Sequence, residues 1–125
     1  MQTYHLADEF TDVASEQALL ARLAQRPALY WELLDLLTPE VFTKEATTWS
    51  TVALALETAQ APRVPADWPP TPDPHATAHR LIDLQQRRLL AATQERLAQA
   101  LFDDTTPATE IATLLEEEAL RVQTA

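Results

Sequence analysis

Two histidines and an aspartate, His75, His79 and Asp83, recur at every fourth position. On a helix they share one face, and zinc sites use histidine pairs at that spacing. The metalloprotease pattern needs a glutamate directly after the first histidine, and Ala76 stands there instead. No third His or Cys lies near in sequence. The residues therefore read as a solvated first turn, with Asp83 paired to Arg80 or Arg87, and no metal site is expected. A metal-dependent hydrolase built on these three side chains is the competing class, and elemental analysis tests it.

The other candidates are weaker as chemistry. Glu116, Glu117 and Glu118 form a carboxylate run, which reads as a solvated helix face with Arg121 placed to pair with Glu117. Asp103-Asp104 reads as a helix end followed by a cap. Arg87-Arg88 is the one adjacent basic pair, too small for a nucleic-acid patch in acidic surroundings but suited to docking an acidic partner surface or to pairing with Asp83 and Glu95. No Ser-His-Asp arrangement has a context around it. The chain has no glycine, which excludes both the Walker A phosphate loop and the dinucleotide fingerprint. It has no cysteine, which excludes disulfides and thiolate chemistry. A non-enzymatic chain without cofactor follows as the expectation.

The formal net charge of −10 disfavours direct contact with a phosphate backbone and suits a basic protein partner. No apolar run approaches a membrane span, and the acidic N-terminus lacks a signal-peptide core, so a cytoplasmic protein is expected.

These residues must be positioned by helices. Residues 1–10 carry no period and read as a tail or arm. Asp12 caps a first helix to about Gln25, with Leu20, Leu23 and Ala24 on one face. "PALYWELLDLL" is a second helix, with Tyr30, Leu33, Leu34 and Leu37 at i, i+3, i+4, i+7. "TPEVF" is a single capped turn, after which Thr43 offers another cap. A third helix follows from about Lys44 to Ala59, with a stripe of Ala46, Trp49, Val52, Ala53 and Leu56. This head, residues 1–60, is packed by Leu20, Leu23, Leu33, Leu34, Phe42 and Trp49. Residues 61–74 hold six of the nine prolines and form a semi-rigid spacer. Trp68 within it covers apolar surface; without a paired basic residue in register, a proline-motif ligand is the lesser reading.

Asp73 and Pro74 start the longest helix, about His75 to Phe102. Its apolar residues form two stripes. The broad one holds Ile82, Leu89, Leu90, Thr93, Leu97, Ala100 and Leu101. Nearly opposite lie Leu84, Ala91, Ala98 and Phe102, the first three at a seven-residue repeat. A final helix from Thr106-Pro107 to about Val122 presents Ile111, Leu114, Leu115, Ala119 and Val122. The short connection predicts an antiparallel helical hairpin over residues 75–125. One stripe of the long helix then remains over, and a second copy of the chain is the simplest cover. The fold class is all-α: a small helical head, a proline-rich spacer and a long hairpin.

The order of these pieces resembles the N-terminal domain of DnaB-type replicative DNA helicases. That family opens with an E-x-x-LL helix, matched by Glu16, Gln17, Leu19 and Leu20. Its second element ends in a pattern matched by Leu37, Thr38, Pro39, Glu40 and Phe42. "RRLL", Arg87 to Leu90, precedes the long helical part in the matching place, and "LLEEEAL" closes the unit. Thr47-Thr48 stand where the family has His-Arg, and the spacer replaces further helices, so the head is shortened. The resemblance implies a non-catalytic domain that assembles a helicase ring through paired hairpins and docks a primase or a loader. On that reading Leu84, Arg87, Arg88, Ala91, Ala98 and Phe102 form the partner and oligomer interface. A stand-alone helical protein–protein adaptor of phage or plasmid type is the alternative.

Overall fold

A computed structural model of the chain describes residues 9–103 and 105–124. Among them are five α-helices and no strand, so the class is all-α: α1 (Val13–Gln25), α2 (Ala28–Leu33), α3 (Ala46–Glu57), α4 (Pro74–Leu101) and α5 (Ala108–Thr124). A 3-10 turn, Pro39–Val41, stands between α2 and α3. The chain divides into two compact units within α4. Of the described residues, the first comprises 11–84; the second comprises 9–10, 85–103 and 105–124. The proline-rich segment thus lies inside the first unit.

Local punctuation sets most helix ends. Asp12 accepts from the Ser15 backbone N–H at 3.1 Å and opens α1. Asp73 does the same for Ala76 at 3.1 Å and opens α4, with Pro74 in the first position where no N–H is needed. α3 ends on Ala59, whose φ of 57° lies in the left-handed region. Around it Ala59 donates to the Leu56 carbonyl at 3.3 Å and Gln60 to Ala55 at 2.7 Å, the paired bonds of a Schellman motif.

The core of the first unit is Leu19, Leu20 and Leu23 of α1, Leu29, Tyr30 and Leu33 of α2, and Trp49, Val52 and Leu56 of α3. Val41 and Phe42 of the turn complete it, with Leu37 just before them. Fully burying each such side chain contributes roughly 1.5–3 kcal/mol. Two expectations are corrected here. α2 stops at Leu33 rather than reaching Leu37, because Pro39 keeps Thr38 out of helical geometry and the chain closes in turns onto the Leu33 carbonyl. Leu34, still helical at φ −56° and ψ −39°, faces outward at 38% exposure because the buried face is Leu29, Tyr30 and Leu33, and Leu29 takes the core place expected of it. On α4, Ala78 and Leu81 are buried although neither belonged to an expected stripe, whereas Leu90 and Leu101 of the broad stripe are exposed.

In the second unit, Glu118 of α5 meets Arg96 of α4 at 2.7 Å and the Thr93 hydroxyl at 3.3 Å. These contacts bring α5 back beside α4 at that level.

Candidate functional site

The corner between the second and third helices is built on a carboxylate. Glu16 of α1 is 1% exposed and accepts from the Thr43 N–H at 2.8 Å, the Thr43 hydroxyl at 2.5 Å and the Glu45 N–H at 3.2 Å. A negative charge at the start of α3 satisfies donors that the helix leaves open and complements its dipole. Thr43 is therefore not a cap in its own right; its hydroxyl is spent on Glu16. Gln17 adds a bond to Glu45 at 3.3 Å. With the backbone held there, Phe42 stacks on Trp49, centroids 4.9 Å apart and planes 13° off parallel. Tyr30 lies against the other side of the cluster, 5.9 Å from Trp49, and donates its hydroxyl hydrogen to Glu57. Burial, reinforced by that carboxylate, pushes the Tyr30 phenol up to about 12.

The proline-rich segment is stapled to α1 at one residue. The Thr71 N–H donates to the Ala18 carbonyl at 3.1 Å, and the Arg22 guanidinium donates to the Thr71 carbonyl at 2.7 Å. The Thr71 hydroxyl meets that of Thr77 at 2.7 Å. Trp68 is half-buried and lines a groove with Ala21 and Ala24, so the fixing of the segment rests on Thr71 as well as on the aromatic.

The His75, His79 and Asp83 positions lie on the first turns of α4. His75 lies 4.0 Å from Glu32, with both side chains more than half exposed, and Arg80 pairs with Asp12 at 2.8 Å. The guanidinium beside Asp12 holds that carboxyl below its ordinary range, with the Ser15 bonds adding to the effect and burial opposing it. Among the described residues no three His, Cys, Asp or Glu side chains cluster as metal ligands.

The expected interface residues fall into two environments. Leu84 and Ala91 are buried within the chain, while Ala98 and Phe102 are exposed, Phe102 at 88%. Arg88 donates to the Phe10 carbonyl at 2.6 Å. Arg87 and Ala91 line a small cleft of about 190 Å³ with Phe10, Leu90 and Gln94. The carboxylate run is corrected at one position: Glu118 is buried, held by Arg96, by Arg121 at 3.3 Å and by Thr93, while Glu116 and Glu117 are exposed. Asp103 accepts from the N–H and hydroxyl of Thr105 and from the Thr106 hydroxyl, which hold its carboxyl below the usual range. Asp104 lies outside the described residues. A second groove of about 440 Å³ runs along α5, floored by Ala100, Ile111 and Leu114.

No helix among the described residues is long and apolar enough to cross a membrane. No protein-family model, curated protein or solved structure matches the chain.

Sequence reasoning missed Glu16 as a clamp, Thr71 as a staple and Glu118 as a buried acceptor. Glu16 and Thr71 bond to Thr43 and Arg22, 27 and 49 positions away, and Glu118 is held by Thr93 and Arg96 of α4. Three-, four- and seven-residue spacings to Leu19, Leu20 and Leu23 were the local signals that Glu16 faces inward.

Proposed function

We propose that the chain is a non-catalytic assembly and docking domain of a DnaB-like replicative helicase, acting in DNA replication by self-association and by binding a primase or a loader. One observation carries this reading. Of the residues on which the resemblance rests in the head, Glu16, Leu19, Leu20, Leu37 and Phe42 are buried in the first unit while Thr38, Pro39 and Glu40 are exposed, and Glu16 clamps the turn that Phe42 closes. The buried ones also make the corner between α2 and α3, which supports the reading. The self-association surface lies at the end of α4 and along α5. There Leu101, Phe102, Leu115 and Leu120 are each more than half exposed and Ala98 leaves room for close approach. Leu84 and Ala91, already covered, support α4 from within instead of meeting the partner.

Light scattering on the purified chain tests the reading. A dimer or larger species is expected, and Phe102→Asp should shift it toward monomer while leaving the helical circular dichroism unchanged. A strict monomer at millimolar concentration overturns the proposal.

A further inference from the structure

The groove between α1 and the proline-rich segment sets apolar walls beside one cation. It encloses about 370 Å³, and its walls are Ala21 and Ala24 on one side and Val64, Pro65 and Trp68 on the other. Arg63 is the one charged residue in its lining. Acidic residues outnumber basic ones 19 to 9 in this chain, so a groove lined by a cation and no acid is a local reversal of sign. Most other arginines are engaged, Arg22 with Thr71, Arg80 with Asp12, Arg88 with Phe10 and Arg96 with Glu118. The exposed guanidinium of Arg63 makes no hydrogen bond or ion pair among the described residues, and neither does the indole N–H of half-buried Trp68. Both are donors beside an apolar floor.

The walls are also set in advance. Pro62, Pro65, Pro69 and Pro70 restrict the segment, the Trp68 backbone N–H closes a turn onto the Pro65 carbonyl at 3.2 Å, and Thr71 fastens the far end to α1. A ligand entering such a groove orders little backbone on binding. We infer that this groove docks an acidic peptide segment of a partner protein, seating one bulky apolar side chain against Ala21, Ala24 and Trp68 and a carboxylate on Arg63. The inference does not depend on the helicase reading, since it uses a different face and predicts binding whether or not the chain self-associates.

The test uses the full 125-residue chain and a short synthetic peptide of aspartates and glutamates around a central leucine–phenylalanine pair. Salt is set to physiological strength, where the repulsion from acids elsewhere is screened beyond about 8 Å. Saturable binding is expected, read by movement of the Trp68 indole resonance, assigned with Trp68→Phe. Arg63→Glu, a change on an exposed side chain, should weaken it at least about tenfold through loss and reversal of the one lining charge. Replacing the leucine–phenylalanine pair by serines should weaken it as much. No saturable binding at millimolar peptide, an affinity unchanged in Arg63→Glu, or shifts confined to α5 would each overturn the proposal.

Discussion

Ala59 occupies a conformation that glycine ordinarily fills. The chain contains no glycine, and its Schellman motif is closed by a residue whose Cβ crowds the backbone at φ 57°. Left-handed geometry costs an L-residue roughly 1–2 kcal/mol, part of which glycine returns through its freer unfolded state. Ala59→Gly should therefore raise stability by about 0.5–1 kcal/mol, seen as a higher urea midpoint with unchanged slope. A lower midpoint would contradict the cap geometry. Tyr30 gives a second prediction at this scale. Its folded pKa of about 12 lies above the ordinary phenol value near 10. The protonated form is the one the fold favours, so this contribution is complete below about pH 10 and is lost as pH rises through about 12. Wild-type stability should fall across that window. In Tyr30→Phe the fall should be smaller, with Glu57 left exposed to water.

At the scale of elements, the helix starts at Asp12 and Asp73 were legible in the sequence because a cap and its donor lie within three residues, and the 3-10 turn because Pro39 breaks the helical pattern, although Thr38 makes no side-chain cap bond. Leu20, Leu23, Trp49 and Val52 were legible as core because periodicity marks a face. Leu34 was misassigned because the i, i+3, i+4 template put it on the buried face, where Leu29 stands instead. Glu16 looked like an ordinary first-turn acid; nothing within α1 shows that Thr43 and Glu45 will return to it across 27 and 29 positions. For the candidate surface, the sequence placed apolar residues on α4 but not the depth of each, since Leu84 and Ala98 have similar local surroundings and opposite exposure. The clamp makes a strong prediction. Glu16→Ala leaves the Thr43 and Glu45 donors without their acceptor in the head, and bonds to a charged group each contribute about 1.5–3 kcal/mol. A loss of about 2–4 kcal/mol is expected by urea denaturation, with Glu16→Gln intermediate because its amide oxygen retains one acceptor. A loss below about 0.5 kcal/mol, the size of an ordinary surface change, would show that the carboxylate does not hold the corner.

At the scale of the molecule, apolar exposure and charge are unevenly placed. Leu101, Phe102, Leu115 and Leu120 lie bare in the second unit, whereas the first unit leaves out Trp31, Leu34 and Leu54. A net charge of −10 opposes the approach of a second copy at long range, so self-association through the second unit depends on contact area at short range, where salt screens the repulsion. The effect of Phe102→Asp measures that term directly: it removes the most exposed ring and adds one more like charge.

The Thr71 staple also sets an order of events during synthesis. Glu16 can find Thr43 and Glu45 as soon as those residues leave the ribosome, so the three-helix corner closes early. The Ala18 carbonyl and the Arg22 guanidinium wait on the side of α1 until Thr71 emerges, 49 positions after Arg22. In that interval the flank of α1 that becomes the wall of the groove lacks the cover of the proline-rich segment.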